Sequence, residues 1–194
     1  ILSGEHIWCQ GYSEPGAGSD LASLRMSAEI DGDDYIVNGQ KIWTTMAQQA
    51  NMVFLLVRTD KEAKKQKGIS FLLVPMDSPG ITVREIDNIG GYSEFAEVFF
   101  DNVRVPRTNM VGAVNQGWTM AKALLGAERI LLGSPKLAKF PLQRLQAMAS
   151  EFGLFEDPVF KDRFTKLHMD VEDSVAVYIR MLEVMRRGEQ LGPE

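Results

Sequence analysis

The sequence predicts an α+β fold: an antiparallel β-barrel or sandwich domain followed by long helices of an incomplete α-helical bundle. Early in the chain, short runs rich in Val, Ile, Phe and Tyr alternate with turn clusters, which is typical of antiparallel β domains. After Pro106 the apolar residues recur at three- and four-residue steps, as on one face of a helix. We therefore predict a β domain at residues 1–110 and the first helices of a helical domain at 111–194.

The β domain is predicted to contain short strands separated by turns. Asp31-Gly32-Asp33-Asp34 is expected to form one hairpin turn, and Asn38-Gly39, the strongest short hairpin dipeptide, a second. The charged segment 60–67 is expected to be a solvated loop, and Pro79-Gly80 turns the chain into a further strand. The predicted strands are 7–10, 25–30, 35–38, 41–45, 52–59, 69–74, 81–86 and 97–100.

Long helical patterns follow. Asn115 can cap a first helix, and Pro141 should kink or end it because proline lacks the N–H and clashes with the preceding turn. The pattern continues to Gly153, and another helix is predicted from Pro158 to Arg187. These helices cannot enclose their own apolar faces, so we expect them to pack on the β domain, on further helices or on another subunit, as in a homo- or hetero-oligomer. The expected core face of the first helix consists of Trp118, Ala121, Leu125 and Leu132.

Composition excludes several classes of partner. A net charge of −5 and a pI near 5.2 argue against nucleic acid, because no basic stripe is present to neutralise phosphates. No apolar run approaches the roughly 20 residues that span a bilayer, so we expect no membrane partner. His6 and His168 lie far apart without other ligands at suitable spacing, so we expect no metal site. The single cysteine, Cys9, excludes an internal disulfide and suits a reducing compartment.

The ends of the sequence are unusual. The chain has no initiator Met, enters a predicted strand almost at once, and stops at Gly192-Pro193-Glu194 just after a helical pattern. No secretory or transit signature is visible. We interpret the chain as a piece of a longer polypeptide.

The most informative segment is the run from Gly11 to Asp20, Gly-Tyr-Ser-Glu-Pro-Gly-Ala-Gly-Ser-Asp, which follows the first predicted strand. Its glycines would let backbone N–H groups converge on an anionic group. A P-loop needs Lys and Ser/Thr after its second glycine, but Ser19 and Asp20 follow Gly18, and a Rossmann fingerprint needs a glycine where Leu21 stands. A phosphate-binding loop and a plain connection between strands both remain open at this point.

Trp43-Thr44-Thr45 is the second informative site. A large aromatic at the end of a strand can be an ordinary core or surface-covering residue. It can also stack on a planar cofactor, with a threonine hydroxyl donating or accepting a hydrogen bond at a ring heteroatom.

Three motifs in order resemble the acyl-CoA dehydrogenase family. They are Ser-Glu-Pro-Gly-Ala-Gly-Ser-Asp at 13–20, Ile-Val-Asn-Gly-Gln-Lys-Ile-Trp-Thr-Thr at 36–45 and Val-Phe-Phe-Asp-Asn-Val-Arg-Val-Pro at 98–106. The resemblance covers residues 7 to 130 and continues more loosely to the end. Asn-Gln-Gly-Trp at 115–118 and Gly-Ala-Glu-Arg at 126–129 look most like the large subunit of pimeloyl-CoA dehydrogenase-type enzymes.

The resemblance implies a cofactor, FAD, and residues that contact it. Ser13 matches the residue that hydrogen-bonds the pyrimidine edge of FAD, Trp43 the indole packed against the isoalloxazine, and Thr45 the hydroxyl near N5. Ser19 matches a contact to the cofactor pyrophosphate or to coenzyme A, and Arg129 a position near the substrate pantetheine. The implied cofactor contacts are Tyr12, Ser13, Gly18, Ser19, Trp43, Thr44 and Thr45, and the implied substrate contacts are Ser19 and Arg129.

Glu128 is the candidate catalytic base. It falls on the same helical face as Leu125 and Leu132, and a carboxylate buried there without a partner could act as a base near neutral pH. In the isovaleryl-CoA and long-chain members of the family the base occupies the matching position, whereas most members place it on a later helix, beyond the residues of this chain. The alternative is a Glu-Arg ion pair between helices with no catalytic role.

The implied activity is α,β-dehydrogenation of an acyl-CoA thioester, with electrons leaving through an electron-transfer flavoprotein. The N-terminal helical domain of the family and most of its C-terminal bundle are missing from the sequence, so we expect this chain to be inactive by itself. Alternatives are an oxygen-using relative, such as an acyl-CoA oxidase or flavin monooxygenase, and a non-catalytic scaffold subunit of a heteromer. We expect a bacterial cytoplasmic location, with the mitochondrial matrix also open.

Overall fold

The structure is a computed structural model that describes residues 2–189. These residues fall into two compact units, divided between Lys122 and Ala123. Gly192-Pro193-Glu194, which the sequence places just beyond a helix, lies outside the described residues. No helix within 2–189 is both long and apolar enough to cross a membrane.

The strands of the first unit are β1 Trp8–Gly11, β2 Ser27–Asp31, β3 Asp34–Thr45, β4 Met52–Arg58, β5 Ile69–Pro75, β6 Ile81–Asp87 and β7 Ser93–Pro106. They form one seven-stranded sheet with the order β1-β4-β2-β3-β7-β6, and β5 pairs with β4. The α+β class is confirmed. Most neighbours are antiparallel, but β4 pairs in parallel with β1 and, at one residue pair, with β2, so the sheet is mixed.

The hairpin turn predicted at Asn38-Gly39 is wrong, because β3 runs through both residues without interruption. Gly39 adopts a φ of 145° and packs so closely on Met26 that a Cβ would come within 2.9 Å of the Met26 backbone. Asn38 faces a bulge in β7, where its Oδ1 accepts a hydrogen bond from the backbone N–H of Asn102 at 2.7 Å. The Asn-Gly pair therefore accommodates a bulge and a close contact instead of reversing the chain.

The core of the sheet lies on the face where strand residues alternate inward. Val37 on β3, Leu55 on β4, Leu72 on β5 and Val103 on β7 are completely buried. Burial of apolar surface contributes roughly 25 cal/mol of stability per Å². This cluster is therefore the main source of stability for the unit. The core thereby provides a rigid base for the segments that carry the candidate site.

Three α-helices follow the sheet: α1 Gly117–Leu132, α2 Lys136–Glu151 and α3 Pro158–Arg186. Pro141, expected to kink or end a helix, lies inside α2, so it does not end one. The helical pattern is interrupted before Pro135 instead, because proline disfavours helical backbone in the residue that precedes it. The prediction for α3 is confirmed, with Pro158 in the first turn and Asp157 accepting a hydrogen bond from the backbone N–H of Val159. On the expected core face of α1, Ala121 is buried, Trp118 and Leu125 are half-buried, and Leu132 is exposed.

Candidate functional site

The glycine-containing loop is a compact turn followed by a short helix. Glu14 and Ala17 exchange two backbone hydrogen bonds, at 2.8 and 3.0 Å, across Pro15 and Gly16. Ser19-Asp20 leads into a 3-10 helix, Leu21–Ser23, although the Asp20 side chain does not cap it. The loop therefore has a fixed backbone on which side chains and free N–H groups can be positioned.

A buried ion pair attaches this loop to β3. Lys41, which is fully buried, donates from Nζ to Glu14 Oε1 at 2.9 Å and to the carbonyl of Tyr12 at 3.1 Å. The next residue, Ile42, donates its backbone N–H to the carbonyl of Ser13 at 2.9 Å. Ser13 is thereby held beside the stretch of β3 that leads directly to Trp43.

Glu14 has further partners that compensate for its burial. Its carboxylate accepts hydrogen bonds from the backbone N–H groups of Arg25 at 2.6 Å and Met26 at 3.0 Å. Burial lowers the pKa of Lys41 to about 8, and the nearby Glu14 carboxylate partly offsets this effect. A buried charge is tolerated only with such partners, so the loss of either member of the pair should leave the other poorly solvated.

Trp43 projects from an irregularity in β3. Between Lys41 and Thr44 the register against β7 shifts, with one extra residue on β3, and Trp43 has a left-handed φ of 58°. The indole is 58% exposed and meets the Phe95 ring edge-on, with centroids 6.2 Å apart. A left-handed aromatic residue is strained by about 1–2 kcal/mol, and such strain concentrates at functional sites. The bulge turns a large planar ring toward solvent, where a ligand can reach it.

Several hydroxyl groups near this ring have no hydrogen-bond partner among residues 2–189. Thr44 Oγ1 is buried without a partner, and the hydroxyls of half-buried Ser13 and exposed Thr45 are also unpaired within this range. Buried polar groups are normally satisfied, so an orphaned hydroxyl points to a missing partner. The Tyr12 side chain is not available as a surface for stacking, because its ring is buried against Phe54 and Phe71 at centroid distances of 5.9 and 6.4 Å.

The glycines of the loop divide into two kinds. At Gly11 a Cβ would lie 2.3 Å from the buried Leu55 side chain, so internal packing requires glycine there. At Gly16 and Gly18 a Cβ would meet no atom within 4 Å, and neither residue has a left-handed backbone. The described part of the fold therefore gives no reason for glycine at these two positions, which is the expected pattern where a ligand approaches the backbone.

These features fit the FAD group that the sequence implies. The exposed indole of Trp43 offers a stacking surface, and the Ser13 and Thr45 hydroxyls can donate to or accept from ring heteroatoms. Gly18 and Ser19 have backbone N–H groups with no acceptor among residues 2–189, as a phosphate contact needs. The candidate site is therefore an open edge formed by the loop and the end of β3.

Glu128 and Arg129 lie on α1, in the second unit. Glu128 is half-buried and Arg129 is exposed, so the full burial that would favour a base at Glu128 is only partly realised. The helical face predicted to enclose Glu128 includes the exposed Leu132.

The sequence motifs did not point to Lys41 and Glu14, which hold the loop and β3 together, or to Gln48 just beyond β3. The Gln48 side chain donates to the carbonyl of Ser93 at 2.6 Å, connecting the segment after β3 to the start of β7. Lys41 could have been noticed as a charged residue in an otherwise inward-facing strand position. Among residues 2–189 no group of three or more His, Cys, Asp or Glu side chains could hold a metal ion.

An open cleft of about 600 Å³ also lies on this unit and is lined in part by Gln48. Its lining includes His6, Asn51, Asp77 and Glu85 but none of the residues implied as flavin contacts. An exposed edge such as the one at Trp43 encloses little volume, so the cleft is not a guide to the candidate site.

Comparison with known proteins identifies the family. A family model described as the middle domain of acyl-CoA dehydrogenases matches residues 9–103. Acyl-CoA dehydrogenase IpdE1 of Mycobacterium tuberculosis (strain ATCC 25618 / H37Rv) is 45% identical over 162 residues, which is 82% of this chain and 42% of that protein. The chain belongs to the acyl-CoA dehydrogenase family. Members of this family are FAD-dependent flavoproteins.

Other acyl-CoA dehydrogenases show the same relationship. FadE34 from the same organism is 39% identical over 193 residues, which is 100% of this chain but 27% of that protein. The chain therefore spans less than half the length of these two curated relatives. Among solved structures, the Tcur3481-Tcur3483 steroid ACAD has a TM-score of 0.91 at 34% identity, covering 98% of this chain and 50% of that chain. The ChsE4-ChsE5 complex from Mycobacterium tuberculosis has a TM-score of 0.85 at 34% identity, covering 100% and 51%.

The family resemblance predicted from the three motifs is thus confirmed. The finer likeness to the large subunit of pimeloyl-CoA dehydrogenase-type enzymes stays a prediction.

Proposed function

We propose that this chain is the flavin-contacting part of an FAD-dependent acyl-CoA dehydrogenase that introduces an α,β double bond into an acyl-CoA thioester. The observation that carries the proposal is the pairing of an exposed, left-handed Trp43 with a loop whose Gly16 and Gly18 have no structural reason to be glycine. Both features suit a planar cofactor with a phosphate tail, and both belong to motifs of the family.

In this proposal each group has a distinct task. FAD, when bound, supplies a two-electron acceptor for the hydride that leaves the β-carbon. Ser13 and Thr45 hydrogen-bond the ring and fix its orientation, and fixed donors favour the negative charge that the reduced ring carries. Trp43 covers one part of the ring and excludes water, while Gly18 and Ser19 contact a phosphate of FAD or of coenzyme A.

A carboxylate must remove the α-proton as the β-hydrogen leaves, so that one proton and one hydride depart together. Glu128 is the candidate within this chain, and a base supplied from outside the chain is the alternative. Arg129 is proposed to contact the substrate pantetheine. Electrons would pass on to an electron-transfer flavoprotein.

A non-catalytic subunit that lends half of a flavin site to a partner is the second candidate. It is favoured by the similarity to the ChsE4-ChsE5 complex, in which two different proteins are assembled. In that case this protein would bind flavin only with its partner and would need no base of its own.

The experiment is an anaerobic titration of the complete purified polypeptide with a panel of acyl-CoA thioesters, followed through the visible flavin spectrum. The dehydrogenase proposal predicts a yellow protein that at least one thioester bleaches, with slow recovery when oxygen is admitted. Rapid recovery would indicate an oxygen-using relative instead. A colourless protein that cannot be reconstituted with FAD would remove the enzyme proposal for this subunit.

The role of Glu128 is tested in the same assay with Glu128→Gln, and Glu151→Gln on exposed α2 surface is the matched control. Loss of bleaching only in Glu128→Gln, with FAD still bound, supports it as the base. Unchanged turnover would assign the base to another residue.

A further inference from the structure

The loop between β4 and β5 concentrates positive charge next to the glycine loop. Residues 61–67 contain four of the ten lysines in the chain, Lys61, Lys64, Lys65 and Lys67, in a protein with a net charge of −5. All four are exposed. Against the carboxylates of Asp60 and Glu62, segment 60–67 still carries two excess positive charges, which attract anions.

This lysine-rich loop is attached to the far end of the glycine loop. Lys65 Nζ donates to Asp20 Oδ2 at 2.7 Å. The Arg58 guanidinium donates from Nη1 to the carbonyl of Lys65 at 2.7 Å and from Nη2 to the carbonyl of Ala22 at 2.7 Å. The half-buried Arg58 side chain therefore holds both the lysine-rich loop and the 3-10 helix that follows Ser19-Asp20.

The loop itself has a defined backbone. Asp60 Oδ1 accepts hydrogen bonds from the backbone N–H groups of Glu62 at 2.9 Å and Ala63 at 3.1 Å, which starts the turn. Lys67 donates its backbone N–H to the carbonyl of Lys64 at 2.7 Å, so these two lysines bracket a second tight turn. Their side chains consequently originate close together.

Two of the four lysines are already neutralised. Lys61 pairs with Glu29 at 2.7 Å and Lys65 pairs with Asp20 at 2.7 Å. Lys64 and Lys67 form no ion pair within residues 2–189. The acidic groups of the loop are Asp60, which is occupied by backbone donors, and the exposed Glu62. Two ammonium groups thus remain available beside a segment already proposed to contact a phosphate.

We propose that Lys64 and Lys67 bind the 3′-phosphate at the nucleotide end of a coenzyme A thioester. The inference rests on the proposed function and extends it to the outer end of the substrate. A phosphate monoester carries between one and two negative charges at neutral pH, which two flexible ammonium groups can match. FAD carries only diester phosphates, and its ring is proposed to lie at the opposite end of the glycine loop, near Ser13 and Trp43.

The test compares ligands that differ only at this phosphate. Coenzyme A and 3′-dephospho-coenzyme A are titrated calorimetrically into the complete, FAD-loaded polypeptide and into its Lys64→Gln/Lys67→Gln variant. We expect the variant to bind coenzyme A roughly five- to ten-fold more weakly, because each exposed charge pair contributes a few-fold. Binding of 3′-dephospho-coenzyme A should change by less than about two-fold, and the difference should shrink at high salt.

The matched control is Arg84→Gln/Arg104→Gln, which removes two exposed positive charges from β6 and β7. It should leave both affinities unchanged, since these strands lie on the other side of β3 from β4. An equal loss for both ligands, or an equal loss in the control, would overturn the 3′-phosphate assignment while leaving the dehydrogenase proposal standing. Failure of the unsubstituted protein to bind coenzyme A would overturn both.

Discussion

Lys41 Nζ lies 2.9 Å from Glu14 Oε1, and both side chains are withdrawn from solvent. This pair connects the loop at Tyr12–Glu14 to β3 two residues before Trp43. Because the Lys41 ammonium also binds the carbonyl of Tyr12, the loop and the exposed indole are parts of one braced unit. The precision of the candidate flavin site therefore depends on a buried ion pair.

Breaking this pair from one side should be more damaging than removing it. Lys41→Met would leave Glu14 buried with a charge and only its backbone donors, at an expected loss of about 3 kcal/mol in unfolding free energy. The double variant Glu14→Gln/Lys41→Met should lose less, because no unpaired charge remains. Denaturant unfolding of the three proteins measures this, and a double variant less stable than Lys41→Met would contradict it.

The same pair predicts a pH dependence with a defined sign. The pKa of Lys41 is about 8 in the folded protein, below its ordinary value of 10.5, so the unfolded chain binds more protons between these two pH values. Unfolding free energy contributed by Lys41 should then rise with pH across this window, by at most roughly 3 kcal/mol. The measurement is the stability difference between the wild type and Lys41→Met from pH 8 to 10.5. A difference that stays constant or falls with pH would show that burial of the ammonium is not penalised.

Trp43 should respond to substitution as a left-handed residue. In an ordinary strand Ala is more stable than Gly by roughly 0.5–1 kcal/mol, but at positive φ this order reverses. We therefore expect Trp43→Gly to unfold at a higher denaturant concentration than Trp43→Ala. Thr82, on β6, is the control, where Ala should be the more stable of the two. An Ala variant more stable than the Gly variant at both Trp43 and Thr82 would contradict a left-handed backbone at Trp43.

Order and type of the main elements could be predicted from the sequence because alternation and helical periodicity report burial directly. The family and the two site motifs could be predicted because their residue order is specific. The strained backbone of Trp43 could not, since its bulge depends on which residues of β7 lie opposite. The same cause made Asn38-Gly39 misleading, because a local turn preference gave way to pairing with β7 and to packing on Met26.

Substitution of Gly18 should weaken ligand binding without lowering the stability of the fold. Its Cβ position is open, so Gly18→Ala should keep or raise stability by up to about 1 kcal/mol through a less flexible unfolded chain. We expect the affinity for FAD or for coenzyme A to fall in the same variant. Gly117→Ala is the opposite case, because its Cβ would lie 2.5 Å from the Ser70 backbone and should lower stability. A Gly18→Ala variant with unchanged affinity for both ligands would remove the loop from the site.

If the glycine loop and the end of β3 together bind the flavin ring, FAD titration of the apoprotein will detect the loss of their hydroxyl groups. Ser13→Ala/Thr45→Val removes two proposed hydrogen bonds, each contributing about 1 kcal/mol. The dissociation constant for FAD should therefore be roughly thirty-fold higher than that of the wild type. Ser78→Ala/Thr82→Val, which removes two hydroxyls near β6, should bind FAD as the wild type does. Equal FAD affinity in the wild type and both variants, with their folds intact, would show that the loop and the end of β3 do not bind the flavin ring.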